Sequence, residues 1–240
     1  MELKAINLSK NYSGKTAVDK VDISVLSGKI VGLLGPNGAG KTTFFYMIAG
    51  LIASDSGTIL INNLDVTTES ISDRAKKGLS YLPQEPSVFR RLSVKDNLLA
   101  ALEQRNELSS DQRQEELKYL IKKFKLESFL ETKAIKLSGG ERRRTEIARA
   151  LASKPKFLLL DEPFAGIDPI AVSELKTTLK NLKEMDLGIL ISDHNVRETM
   201  QICDKVSILS EGKMVAEGSA SQISNNELVK EVYLGKDFQN

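Results

Sequence analysis

Ile30-Val31-Gly32-Leu33-Leu34-Gly35-Pro36-Asn37-Gly38-Ala39-Gly40-Lys41-Thr42-Thr43-Phe44-Phe45-Tyr46-Met47-Ile48-Ala49-Gly50 is the stretch on which the rest of the sequence turns. Ile30 to Leu34 is a short apolar run of strand character, Lys41 to Gly50 reads as a helix, and glycine-rich punctuation joins them. Gly35 to Thr42 fits the pattern G-x-x-x-x-G-K-S/T in the strand–loop–helix context that the pattern requires. Glycines in such a loop let backbone N–H groups turn toward one anion, and the helix N-terminus adds positive potential. Lys41 reaches the outer phosphates and Thr42 offers its hydroxyl to Mg²⁺. A glycine-rich turn without a ligand would leave lysine and threonine in register by accident. The ligand implied is a nucleoside triphosphate, held by Gly35, Pro36, Asn37, Gly38, Ala39, Gly40, Lys41, Thr42 and Thr43.

Downstream, Phe157-Leu158-Leu159-Leu160-Asp161-Glu162 places two acids at the end of an apolar strand. Acids at the rim of a buried sheet need a cation or water to solvate them. Beside a phosphate cradle, Asp161 is the carboxylate that holds Mg²⁺ through water, and Glu162 the base that polarises an attacking water. The plainer reading, a strand ended by Asp-Glu-Pro, explains Pro163 but not the cradle. A further element is Leu137-Ser138-Gly139-Gly140-Glu141, which opens an apolar-periodic helix. Ser138 and Glu141 fit a capping box, yet that motif needs no paired glycines, which weaken a helix start while leaving amides accessible to a phosphate.

The length allows one large α/β domain or two small ones. The chain has 240 residues, 41% of them hydrophobic, and Lys+Arg 34 against Asp+Glu 32 gives a net charge of +2, which supplies no field for nucleic acid. Its single cysteine, Cys203, forms no internal disulfide and reads as a buried thiol. The N-terminus lacks a secretory pattern, and the longest apolar stretch, Phe44 to Ala53, is too short to cross a bilayer, so no direct membrane insertion is expected. Leu3 to Tyr12, a Ser13-Gly14-Lys15 turn, Val21 to Val25 and Gly57 to Asn62 read as an antiparallel layer. Leu98 to about Leu130 is helical, with an N-cap at Ser109-Ser110-Asp111 and Leu117, Leu120, Ile121 and Phe124 on one face. A helix from Glu141 to Ala152 follows, then strands at Phe157 to Leu160 and Gly188 to Ser192 around a helix beginning near Pro169, as in βαβ units. Val206 to Leu209 and Met214 to Ala216 form a hairpin before a short helical tail. The Arg142-Arg143-Arg144 run reads as a solvated helix face.

The cradle, Leu137–Glu141 and Leu160-Asp161-Glu162-Pro163 stand in the order found in the ABC ATPases, and the chain resembles that family over essentially its whole length. The resemblance implies an α/β P-loop NTPase fold with a mixed core sheet, an antiparallel β layer and an inserted helical subdomain. It implies one domain over residues 1–240, with a RecA-like core and β layer at about 1–84 and 155–240, and a helical subdomain at 85–154. It implies that Ser138, Gly139, Gly140 and Glu141 serve the ATP held by a second copy, so that ATP is hydrolysed in a head-to-tail homodimer. By the same resemblance Tyr12 stacks on adenine, Gln84 senses Mg²⁺ and water, and His194 is the γ-phosphate switch beside Glu162. Glu141 stands where many members carry glutamine, and Ala165-Gly166-Ile167-Asp168 departs from the commoner Ser-Ala-Leu-Asp.

Within the family, the segments at Phe89–Leu92, Gly139–Arg144, Phe164–Pro169, Asp193–Thr199 and Val232–Gly235 resemble the branch that powers lipopolysaccharide export. That implies two copies driving integral-membrane subunits that extract lipopolysaccharide from an inner membrane, the ATPase resting on the cytoplasmic face with Phe89 and Arg90 in the coupling groove. The ATPases of branched-chain amino-acid importers share Gly139-Gly140-Glu141 and are the nearest alternative. A soluble ABC ATPase of iron–sulfur cluster assembly is an alternative of another class. A chromosome-structure ATPase would need a long coiled coil between the cradle and Leu137, and the intervening segment is far too short for one.

Overall fold

The computed structural model describes residues 1–230. Its first two strands, β1 (Glu2–Tyr12) and β2 (Lys15–Leu26), meet at Ser13–Gly14, both in the left-handed region. Leu3, Ala5 and Leu8 of β1 and Val21, Ile23 and Val25 of β2 are buried, while Lys4 and Ser24 keep partial access to solvent. Alternation of this kind is the mark of a sheet covered on one face. β4 (Ser56–Ile61) and β5 (Leu64–Asp65) complete a layer of order β2-β1-β4-β5, antiparallel throughout.

The second sheet has the order β10-β9-β3-β8-β7-β6. It comprises β3 (Ile30–Leu34), β6 (Leu79–Leu82), β7 (Phe157–Asp161), β8 (Gly188–Asp193), β9 (Lys205–Ser210) and β10 (Lys213–Gly218). All its pairings are parallel except that of β10 with β9, which makes the sheet mixed. β3, β7 and β8 are buried along their whole length, as strands covered on both faces must be.

Helix α1 (Lys41–Ala49) lies between the two sheets, with Phe44, Phe45, Met47 and Ile48 packed among Leu3, Val21, Val31 and Leu159. Each of those side chains stabilises the fold by about 1.5–3 kcal/mol through burial. The opposite face of the core sheet, presenting Leu158, Leu160, Ile189 and Ile191, is covered by α3 (Val94–Leu102), α4 (Ser110–Phe124), α5 (Gly139–Leu151) and α6 (Pro169–Glu184). Alternate residues of β7 thus serve different cores. Smaller helices are α2 (Ile71–Lys76), α7 (Val196–Met200), α8 (Ala220–Ser224) and α9 (Glu227–Val229).

The structure shifts several expected boundaries. The helical region begins at Val94, capped by a Ser93–Asp96 box, and breaks into α3 and α4. α5 starts at Gly139 rather than Glu141 because the box formed by Ser138 and Glu141 draws both glycines into the first turn. β6, four residues that stop before Pro83, has too short a pattern to be legible in sequence; it is defined by parallel pairing with β7. Arg143 is a correction to the reading of residues 142–144 as solvated, since it is only 7% exposed and pairs with the buried Glu146. Cys203 packs where a Cβ at Gly32 would come within 2.9 Å of its Sγ, and burial pushes its thiol pKa up. The expected segment Val232–Gly235 lies outside the described residues.

Candidate nucleotide site

Every strand of the core sheet but β10 runs in one direction, so the carboxyl ends of β3, β6, β7 and β8 deliver their following residues to one edge. Those residues are Gly35, Gln84, Asp161 with Glu162, and Asp193 with His194. Sheet topology of this type places ligands beyond the carboxyl ends of the strands.

The loop after β3 is forced by close packing. A Cβ at Gly35 would stand 2.0 Å from the Leu209 carbonyl, and one at Gly40 2.2 Å from that of Ala17. Gly40 caps α1 with φ 102° and no side-chain hydrogen bond, and the first turn carries no acid. That helix start therefore keeps its amides and its positive potential for an anion. The buried Lys41 bends back into the loop, its Nζ donating to the Gly35 carbonyl at 2.7 Å and the Pro36 carbonyl at 3.0 Å. Burial pushes its pKa down, against the charges of Glu162, Asp161 and Asp193. A cleft of about 670 Å³ runs along the loop, lined by Tyr12, Lys15, Thr16, Ala17, Asn37 through Thr43, Glu162, Glu211 and Gly212. Tyr12 is 47% exposed at this cleft, with Lys10 Nζ 5.7 Å from its ring centre.

Of the acids that follow β7, Glu162 reaches the cleft and Asp161 lies buried behind it. Asp161 is 3% exposed and accepts hydrogen bonds from the Ser192 hydroxyl and, at 3.3 Å, from that of Tyr81. Burial pushes its carboxyl pKa up, and the neighbouring Glu162 adds to the effect. Glu162 adopts φ 44°, a left-handed conformation costly for a non-glycine residue, fixed by its amide's bond to the Ser192 carbonyl at 2.8 Å. Its Oε2 accepts from Gln84 Nε2 at 2.9 Å and lies 3.2 Å from His194 Nδ1. The structure thus gathers Gln84, Glu162 and His194, distant in sequence, around one carboxylate oxygen. Asp193, fully buried, orders the adjoining loops by accepting from the amides of Phe164 at 3.2 Å and Asn195 at 2.7 Å.

Ser138, Gly139, Gly140 and Glu141 are not among the residues of the 670 Å³ cleft. The Glu141 carboxylate accepts from the Ser138 amide at 2.9 Å and hydroxyl at 2.7 Å, and these bonds hold its pKa low. The capping box occupies the Ser138 and Glu141 amides and leaves those of the two glycines. Packing supplies a further reason for Gly140, where a Cβ would meet that of Ala171 at 2.9 Å.

Phe89 is 54% exposed and borders a separate hollow of about 490 Å³ with Ser87, Ala101, Gln104 and Arg149. The Arg149 guanidinium stacks 5.2 Å from the Phe89 ring centre, and Asn97 clasps the Phe89 amide and carbonyl at 2.8 and 3.1 Å. Arg90 is exposed beside it. α5 holds the loop leading there: Glu146 accepts from the Ser87 amide at 2.7 Å, Arg143 donates to the Pro83 carbonyl at 3.3 Å, and Arg149 to the Ser87 hydroxyl at 2.9 Å. Sequence reasoning missed Tyr81, Ser192, Asp193, Glu146 and Glu211. Their roles come from strand order and packing, and only the adjacency of Asp193 to His194 could have signalled one of them.

A P-loop cradle, a strand-end carboxylate pair and a glycine-led helix start on this two-sheet fold define an ATP-binding cassette. Residues 18–165 match the family model described as "ABC transporter", and the chain belongs to that family as an ATP-binding, ATP-hydrolysing subunit. Residues 213–239 also match a model described as "Branched-chain amino acid ATP-binding cassette transporter". The lipopolysaccharide export system ATP-binding protein LptB of Escherichia coli K12 is 52% identical over 237 residues, 99% of this chain and 98% of that protein. LptB of Haemophilus influenzae is 51% identical over the same shares. Among solved structures, the ADP conformation of the cassette MJ1267 superposes with a TM-score of 0.87 at 28% identity, covering 98% of this chain and 100% of that one. The dimeric, post-hydrolysis cassette MJ0796 bound to ADP and Pi superposes with a TM-score of 0.80 at 25% identity over 91% and 98% of the two chains. Among the described residues no helix is long and apolar enough to cross a membrane.

Proposed function

We propose that the chain hydrolyses ATP as a head-to-tail homodimer, seated on integral-membrane subunits at the cytoplasmic face of an inner membrane, and that this work extracts lipopolysaccharide for export. The observation carrying the cargo is the 52% identity to LptB, which extends over 99% of the chain and so includes the Phe89 hollow as well as the nucleotide site. The tail match to importer cassettes at residues 213–239 favours a second reading, an amino-acid importer. It covers a short terminal segment and none of the residues around Phe89.

The phosphates lie against the amides of Gly35–Thr43, with Lys41 swinging from the loop carbonyls to the outer phosphates and Tyr12 stacking on the adenine. Ser138 and the amides of Gly139 and Gly140 from a second copy close the same site, using the two glycine amides that the capping box leaves over. Glu162 takes a proton from the attacking water, and Gln84 and His194 orient its carboxylate and sense the γ-phosphate.

Mg²⁺ fits the donors present. Thr42 lines the cleft, the Gln84 amide oxygen is left over once its nitrogen bonds Glu162, and the buried Asp161 calls for a cation nearby. All three are oxygen donors, as this metal prefers. Among the described residues no three His, Cys, Asp or Glu side chains form a metal cage, which suits an ion that arrives with phosphate. Thr42, Gln84 and, through water, Asp161 would hold it, and when bound it neutralises charge developing on the phosphate oxygens.

Affinity purification of the tagged chain from detergent-solubilised cells, with mass spectrometry and lipid analysis, tests the proposal. Two integral-membrane subunits carrying lipopolysaccharide support it. A permease pair with a solute-binding protein would transfer the chain to import, and purely soluble partners would remove the transporter reading.

A further inference from the structure

The end of α1 remote from the cradle is held by an arginine that the nucleotide site does not use. Arg74, on α2, is 2% exposed. Its Nη1 donates to the Met47 and Ile48 carbonyls, each at 2.6 Å, its Nη2 to that of Thr67 at 2.8 Å, and its Nε to that of Glu69 at 3.1 Å. The acids whose charges reach it, Glu69 and Asp65, are engaged elsewhere, Glu69 with Lys77 and Asp65 with Thr67. A guanidinium buried on carbonyls alone is an expensive way to fill space, since methionine would occupy similar volume without desolvating a charge. What the guanidinium adds is direction. Two of its acceptors belong to the last turn of α1, where the Ile48 carbonyl is past the reach of the helix's own amides and the Met47 carbonyl otherwise accepts only the capping Gly50 amide at 3.2 Å, and its charge complements the dipole whose other end faces the cradle.

The surroundings are shaped for this contact. Gly50, which ends α1 with φ 81°, carries no Cβ, and one placed there would stand 3.0 Å from Arg74 Nε and 3.0 Å from the Ile71 amide nitrogen. From α2 the chain turns at Gly78 into β6, which ends just before Pro83 and Gln84. The arginine therefore joins the back of the phosphate helix to the segment that leads to Gln84, whose amide touches Glu162 at 2.9 Å.

We propose that Arg74 is a positioning residue for the nucleotide site, fixing α1 in tilt and axial position so that the amides of Lys41, Thr42 and Thr43 meet the phosphates in register with Gln84. The inference rests on the reading of Gly35–Thr43 as the phosphate cradle. A merely structural arginine would lower stability when replaced and leave the affinity of the folded protein alone. A positioning arginine changes that affinity as well.

The test is titration of the purified chain with a fluorescent ATP analogue, far below each variant's unfolding midpoint, with denaturant unfolding measured in parallel. Arg74→Met is expected to raise the dissociation constant about tenfold, and Arg74→Lys, whose ammonium can satisfy only part of the acceptor set, by about threefold. Amide hydrogen exchange at Thr42 to Phe45 should quicken in the same order. A methionine variant that is less stable yet binds the analogue as tightly as the unaltered chain overturns the inference. If that variant does not fold, the lysine variant decides alone: a threefold weakening supports positioning and unchanged affinity overturns it. Failure of the unaltered chain to bind the analogue would instead remove the cradle reading, so the two failures are told apart.

Discussion

The helix starts of α1 and α5 both present glycine-flanked amides, yet they are built in opposite ways. α1 begins without any side-chain cap, with a buried lysine folded into its loop and the strand-end acids nearby. α5 begins with a complete capping box and Ser138 exposed to solvent, and its Gly139 lines a second hollow, with Gln84 and Glu162, rather than the cleft along the loop. The first leaves its opening amides without any side-chain partner, and the second has capped two of its own and leaves only those of the glycines. The contrast accords with the proposal made above, in which each chain supplies one half of two different sites and a pair of copies completes both.

Experiments can break that comparison in order of expected effect. Glu162→Gln should leave ATP binding intact, trap the dimer and slow phosphate release by roughly 10²–10⁴-fold, the range of general-base catalysis; full turnover by the purified variant would end Glu162's assignment. Lys41→Ala should weaken ATP binding itself by more than about tenfold, since it removes a charge-assisted contact to phosphate, as equilibrium titration would read. Mixing Lys41→Ala chains with Ser138→Arg chains, each inactive alone, should restore turnover in the mixed dimer, because one of its sites then receives both intact halves. No recovery at any mixing ratio would mean that the halves do not meet across chains. Tyr12→Ala should cost about 1–3 kcal/mol of ATP affinity, the worth of one base–aromatic stack, and leave turnover at saturating ATP nearly unchanged. Phe89→Ala should spare intrinsic hydrolysis and reduce co-elution with membrane subunits, an outcome that normal stoichiometry on the column would contradict.

A difference of the same kind separates what was legible in sequence from what was not. The strand–loop–helix from Ile30 to Gly50 could be read directly, because its apolar run, its glycines and its helix start are contiguous in sequence. The capping box at Ser138 and Glu141 was legible for the same cause, although it drew the helix start back to Gly139. β6 was lost because four residues hold too short a pattern, and Arg143 was misread because a charge run gives no sign of the buried Glu146 awaiting it.

By itself the sequence determined the α/β class, the glycine-rich loop between β3 and α1 and the acids at the end of β7, since these depend on neighbours along the chain and on hydrophobic period, while the family followed from the order of the motifs. Only the tertiary structure decided that Gln84, Glu162 and His194 share one carboxylate oxygen, that Ser192 and Tyr81 hold Asp161, and that Arg74 closes the far end of α1. Those contacts join residues tens of positions apart. Strand order and the parallel register of β6, β7, β8 and β3 bring them within hydrogen-bonding distance, and no local pattern records that register.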